Sequence, residues 1–201
     1  RRKGVSYRTY GEFADDYKPN LPVLEGHYCT YYTRWDQHVR DTTRVTQWKR
    51  DFDSLLRAGA VPQMNTLRII NDHTEGQSIG RPTPFAHCAD NDLAVGQFVE
   101  YLSKSPIWKE SVVFVVEDDA QNGPDHVDAH RTTAYVAGGF VKRGFVDHTM
   151  YSTTSMLRTM SPPPGMAQLW NFSVAGSERT MVLGLAADSL YQTAPLVKTM
   201  P

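Results

Sequence analysis

A chain of 201 residues with 40% hydrophobic side chains is long enough for one domain with a sizeable core. Its 21 basic and 22 acidic residues balance to a formal net charge of −1, so no charge-driven nucleic-acid partner is implied. No apolar run approaches transmembrane length, and the two cysteines, Cys29 and Cys88, sit in no CxxC motif, so they leave both pairing and compartment open.

Val5 to Tyr10 alternates with period two and predicts a strand. Lys18 to Tyr32 is rich in Pro, Gly and Tyr and reads as a long irregular loop. Tyr28, Tyr31, Tyr32 and Trp35 form an aromatic group that either packs or lines a cleft, with packing the favoured reading. From Asp41, the residues Val45, Trp48, Phe52, Leu55 and Leu56 share one helical face, and Gly59 suits the helix end. Thr66 to Ile70 predicts a short strand. Asp90 is placed to cap a second helix with Ala94, Phe98, Tyr101 and Leu102 facing inward, and Asp92 in its first turn suits the helix dipole. Val112 to Val116 is a buried-strand pattern, and Thr133 to Phe140 is another strand. Ser152 caps a helix carrying Met156, Leu157 and Met160. The run Ser161-Pro162-Pro163-Pro164-Gly165 stops that helix, and divides residues 1–160 from a tail, 161–201, expected to pack on the same domain. The order of elements is that of an α/β layer fold.

The chemistry concentrates behind the strands. The stretch from Phe114 to Arg131 reads FVVEDDAQNGPDHVDAHR. Within it, Glu117, Asp118, Asp119, Asp125 and Asp128 supply carboxylates, and His126 and His130 imidazoles. Like charges at this density repel, and a bound cation is the usual remedy. Oxygen ligands beside imidazole nitrogens suit zinc, manganese or iron ahead of calcium or magnesium. Two blander readings compete. One is a solvated acidic loop. The other is a calcium-binding loop of the EF-hand type, which Asp118, Asn122 and Gly123 match but Ala120 and Ala129 break. Asn71, Asp72, His73 and Thr74 repeat the logic of acid and imidazole directly after a strand. If both strands belong to one parallel sheet, their ends converge, because ligands in open α/β sheets bind beyond the carboxyl ends of strands. Asp147-His148 is a further pair that reads more readily as a helix-entry turn.

The segments NDHT (Asn71 to Thr74), ADNDLAVG (Ala89 to Gly96), VVEDDAQNGPDHVDAHR (ending at Arg131) and VDHTMYSTTSMLRTM (Val146 to Met160) occur in this order and at similar spacing in bacterial phosphoesterases of the alkaline phosphatase superfamily. The chain most resembles the phosphoesterase domain often fused to a YncE-like β-propeller, over roughly Gly4 to Met160. The resemblance implies a three-layer α/β/α fold, metal-assisted hydrolysis of phosphate esters, and a periplasmic or secreted location. By that likeness Asp118 and Asp119 are metal ligands, and Asp72 and Asp125 match family positions near the metal. His73, His126 and His130 are ligands or contacts to the phosphoryl group. Asn122 turns the chain back toward the metal, and it and Arg131 are candidates for the substrate phosphate.

Such phosphoesterases also carry an acidic ligand and a Ser or Thr nucleophile near the start of the domain, and nothing before Asp72 matches that half. The chain therefore reads as a C-terminal portion holding part of the site, with the preceding half of the domain, and a possible β-propeller, as its partners. On this reading it exposes an unpaired sheet edge and turns over little aryl phosphate unaided. TMVLGLAADSLYQTAPL, from Thr180, is expected to continue the interrupted apolar helix. The alternative from another class is a non-catalytic, metal-stabilised binding module.

Overall fold

The computed structural model describes residues 5–15, 18–117, 133–139, 141–160 and 179–184. Strand β1 spans Tyr7–Tyr10, β2 Ala14–Asp15, β3 Lys18–Pro19, helix α1 Asp41–Arg57 and β4 Met64–Arg68. Helix α2 spans Pro84–Ser103, β5 Ser111–Val116, β6 Ala134–Gly138, α3 Thr153–Met160 and β7 Arg179–Gly184. Three short 3-10 turns lie at Pro22–Leu24, Asn71–His73 and Trp108–Glu110.

Among the described residues the main sheet has five strands in the order β1-β4-β7-β5-β6. β1, β4, β7 and β5 run parallel, and β6 closes the row antiparallel to β5. The strands expected near Val5, Thr66 and Val112 therefore share one sheet, the last two as near neighbours separated by β7. Register fixes their relative height. Arg68 and Val116 both lie opposite Gly184. Two strand spacings of about 4.8 Å put them roughly 10 Å apart, leaving the sheet at the same carboxyl edge.

Burial follows the alternation of side chains. Val113 and Val115 of β5, with Tyr10, Leu67 and Ile69, pack against Val45, Trp48 and Phe52 of α1 and Ala94, Phe98 and Leu102 of α2. The Trp48 ring sits 4.4 Å from Phe98 and 4.9 Å from Phe52. On the other face of β5, Val112 and Phe114 meet Met156 and Met160 of α3. Burial on both faces explains why β5 reads as a continuous apolar run. The fold is thus mixed α/β, with α1 and α2 against one face of β5 and α3 against the other. No helix among the described residues is long and apolar enough to cross a membrane.

Local signals hold at several ends. α1 stops at Gly59, whose φ of 62° is open to glycine. The Gly59 N–H donates to Leu56 O at 3.1 Å and the Ala60 N–H to Leu55 O at 2.8 Å, which closes a Schellman motif. Ser152 Oγ accepts the Ser155 N–H at 3.2 Å and caps α3 as expected. Tyr32 is packed, with its hydroxyl donating to Arg68 O at 2.6 Å.

Other expectations are corrected. α2 begins at Thr83-Pro84, where Thr83 Oγ1 accepts the Ala86 N–H at 3.2 Å and Pro84 occupies the first turn, so Asp90 and Asp92 lie inside the helix and not at its start. The segment from Thr180 does not resume a helix over its described part. Thr180 to Gly184 belongs to β7, between two parallel strands whose backbone groups require partners. The outer side of β1 is partly covered, since the Thr9 N–H donates to His27 O and the Cys29 N–H to Thr9 O. β6 is an edge among the described residues, with Tyr135 63% exposed.

Candidate active site

Four parallel strands, β1, β4, β7 and β5, end at the carboxyl edge of the sheet. Beyond β1 comes Glu12. β4 ends in Arg68, and Ile70 leads into the turn Asn71–His73. β5 runs straight into Glu117. The Glu117 N–H donates to Thr133 O at 3.1 Å, a hydrogen-bonded stem that extends the β5–β6 ladder beyond Val116.

The turn after β4 is held from beneath by a buried polar network. Asp41 and Arg44, in the first turn of α1, are both fully buried and pair at 3.1 Å. Asp41 accepts the backbone N–H groups of Ile70 (3.1 Å) and Asn71 (2.8 Å) and the Asn91 amide (3.0 Å). Arg44 donates to four carbonyls of the preceding loop, those of Thr33, Arg34, Asp36 and Val39, at 2.6–3.1 Å. A buried ion pair is tolerable only when its remaining donors and acceptors are satisfied in this way. Asp90 lies alongside. It accepts from the Asp41 N–H (2.6 Å), Arg40 (2.9 Å), Thr42 (2.9 Å) and the Asn71 amide (3.1 Å). It therefore caps α1, not its own helix.

Burial pushes the Asp90 carboxyl upward, but the hydrogen bonds from Asp41, Thr42, Arg40 and Asn71 outweigh it and hold the group below its ordinary range. The sign of the consequence follows. A folded pKa below the unfolded one, about 3.9, gives stabilisation that is complete above that value and is lost as pH falls through the lower, folded value. In urea titrations from pH 6 down to the acid limit, Asp90→Asn should therefore lose less stability on acidification than the parent. Parallel declines would remove Asp90 as a contributor.

The network delivers Asp72 and His73 to the edge. Asn91 Nδ2, shared with Asp41, also donates to Asp72 Oδ1 at 3.1 Å. His73 Nδ1 lies 3.0 Å from Thr74 O. A carbonyl only accepts, so Nδ1 carries the proton and Nε2 holds the lone pair of the neutral ring. The same carbonyl accepts from Gln37 at 2.9 Å. Thr74 adopts φ 57°, ψ 174°, a conformation that costs a β-branched residue about 1–3 kcal/mol and persists only where its surroundings impose it. The Trp35 ring meets the His73 ring edge-on, with centroids 4.9 Å apart and planes at 84°.

Cys88, on α2, lies near the acids that follow both β4 and β5. Desolvation first, then the negative charges of Asp72 and Glu117, hold the Cys88 thiol above its usual range. Cys88 is thus within reach of both acids and is no activated nucleophile. It is not disulfide-bonded, and neither is Cys29.

A model of the phosphoesterase family matches residues 1–162. The chain belongs to the phosphoesterase family. Membership implies hydrolysis of phosphoric esters as the reaction class. No curated protein and no solved structure gives a match.

Of the site residues expected for this phosphoesterase from its sequence, Asp72 and His73 stand together at the end of β4. Asp118, Asp119, Asn122, Asp125, His126, His130 and Arg131 lie outside the described residues, on the segment between Glu117 and Thr133. Among the described residues, no three His, Cys, Asp or Glu side chains form a group that could hold a metal, so Asp72 and His73 make no cage by themselves. Asp147 takes the turn role. Its carboxylate accepts the Thr149 N–H at 2.9 Å and the Tyr151 hydroxyl at 3.0 Å, hydrogen bonds that lower its pKa. Sequence reasoning missed Arg44 and Asn91 and read Asp41 and Asp90 only as helix starts. The signal was present, since Asp41 and Arg44 are in phase with Val45 and Trp48, and Asp90 with Ala94, Phe98 and Leu102. A charged residue inside an apolar stripe marks a buried polar network.

Proposed function

We propose that this phosphoesterase hydrolyses phosphate esters with bound divalent metal, on an alkaline-phosphatase-like three-layer frame, at the carboxyl edge between β4 and β5. The observation that carries the reading is the shared height and direction of those strands. It supports the reading because the strand that leads to Asp72 and His73 and the strand that leads to Asp118 and Asp119 end at the same edge of the sheet. The donor chemistry fits a cation. Metal-binding histidines commonly donate their second ring N–H to a carbonyl, as His73 Nδ1 does to Thr74 O.

Asp118 and Asp119 would hold the metal, with Asp72 and Asp125 as further carboxylates and zinc, manganese or iron as the ions that suit the set. The bound cation neutralises phosphate charge and lowers the pKa of a coordinated hydroxyl or water. His126 and His130 would ligate beside them or donate hydrogen bonds to the equatorial phosphoryl oxygens. Asn122 and Arg131 would orient the phosphate, Arg131 through its two-pronged guanidinium. Family membership favours this over a non-catalytic binding module. A periplasmic or secreted location comes from the sequence resemblance alone.

Calorimetric titration with zinc and manganese tests the reading. Heat of binding is expected from the parent chain, weakening as pH falls because protons compete for the same lone pairs. It should be absent from the double variant Asp118→Asn, Asp119→Asn. Equal heats from the two proteins would move the metal elsewhere, and the proposal would fail.

A further inference from the structure

We infer that Trp35 is the platform for the organic group of the ester, and that it selects flat, uncharged aromatic leaving groups over small alkyl ones; the inference rests on the phosphate-ester site proposed above. Trp35 is 41% exposed, yet it is held on several sides. Its ring makes a T-shaped contact with that of His73, which follows β4 at the carboxyl edge. The Arg68 guanidinium lies over the indole, 4.9 Å from the ring centroid. Arg68 is in turn paired with Glu12 at 3.5 Å.

The backbone on either side is just as fixed. Buried Arg44 binds the carbonyls of Arg34 and Asp36. Gln47 holds Thr33 twice, accepting its N–H at 2.8 Å and donating to its hydroxyl at 2.9 Å. An exposed aromatic ring on an ordered loop meets a ligand with little further loss of freedom, which is what makes a binding surface effective.

The neighbours also define what the ring accepts. Arg68 already places a positive charge on the π system, so a second cation drawn to the same ring would be repelled. A neutral flat group gains from stacking without that repulsion. The two ends of the ester are thereby separated, with the phosphoryl end toward His73 and the carbon end toward Trp35.

Calorimetric titration of the manganese-loaded chain with phenyl phosphate, methyl phosphate and inorganic phosphate tests this. Phenyl phosphate is expected to bind about tenfold more tightly than methyl phosphate, in keeping with one aromatic stacking contact. Trp35→Leu keeps apolar bulk without the π face and should bring that ratio to within about twofold, while Trp35→Phe should retain most of it. A ratio near one in the parent chain, with inorganic phosphate bound, would overturn the platform and leave the phosphate site standing. A preference that survives Trp35→Leu would overturn it too. Failure of all three phosphates to bind would remove the site, and the platform with it.

Discussion

Replacing Arg44 by leucine is expected to lower stability by about 3–5 kcal/mol, the usual cost of breaking a buried ion pair from one side. The change would leave Asp41 charged with no counter-ion in a fully buried position. It would also strip a donor from each of four loop carbonyls. Lysine is expected to recover little. Its single ammonium has three donors on a flexible stem and cannot reproduce the planar fork that serves five acceptors here. Urea denaturation reads the effect as a lowered midpoint at unchanged slope. A shift equivalent to less than about 1 kcal/mol would class the pair with surface salt bridges and remove it as the anchor of the site. Removing Asp41 and Arg44 together should cost less than the sum of the separate losses, since neither charge is then stranded.

The other large effect is expected from Gly138→Ala, at a residue that supplies no proposed ligand. Gly138 lies opposite Val112 where β6 closes on β5, at φ 155°. A methyl group there would stand 2.3 Å from Ser111 O and 2.9 Å from Val112 Cα, both backbone atoms that cannot turn aside. Overpacking combined with an unfavourable dihedral predicts a loss of about 3 kcal/mol or more. Because the β5–β6 ladder leads to the Glu117–Thr133 stem, the same variant should weaken zinc or manganese binding although no ligand has changed. Gly96→Ala is the control. A Cβ at Gly96 meets nothing within 4 Å, and the helix interior favours alanine by up to about 1 kcal/mol. Thermal melts of the two variants should therefore move in opposite directions. A Gly138→Ala melt matching the parent would show that β6 does not brace the stem.

How far the sequence disclosed this molecule depends on the range of each signal. The strands at Thr66 and Val112 and the helix from Asp41 to its glycine stop were legible, because periodicity and end signals are local. The start of α2 was equally local, but Thr83-Pro84 was passed over for the more conspicuous Asp90. β7 was misread because TMVLG continues into LAADSLYQ, and a short apolar run does not declare its own period. Asp72 and His73 were legible as an acid and an imidazole at a strand end. Their supports were not, because Asp41 reaches Asn91 across 50 positions and Asp90 reaches Arg40 across the same distance. Spacing in the chain cannot announce a hydrogen bond of that kind.

The Asp41–Arg44 pair also bears on when the site comes into being. It gathers the loop at 33–39, the backbone at 70–71 and the side chain of Asn91 into one arrangement. None of these segments can hold its shape until α1 has docked against the sheet and α2, so closing several long loops must come before the first site hydrogen bond is rewarded. Assembly of this edge is thus expected late in folding, after the long-range contacts that support it. The site and the core then stand or fall together.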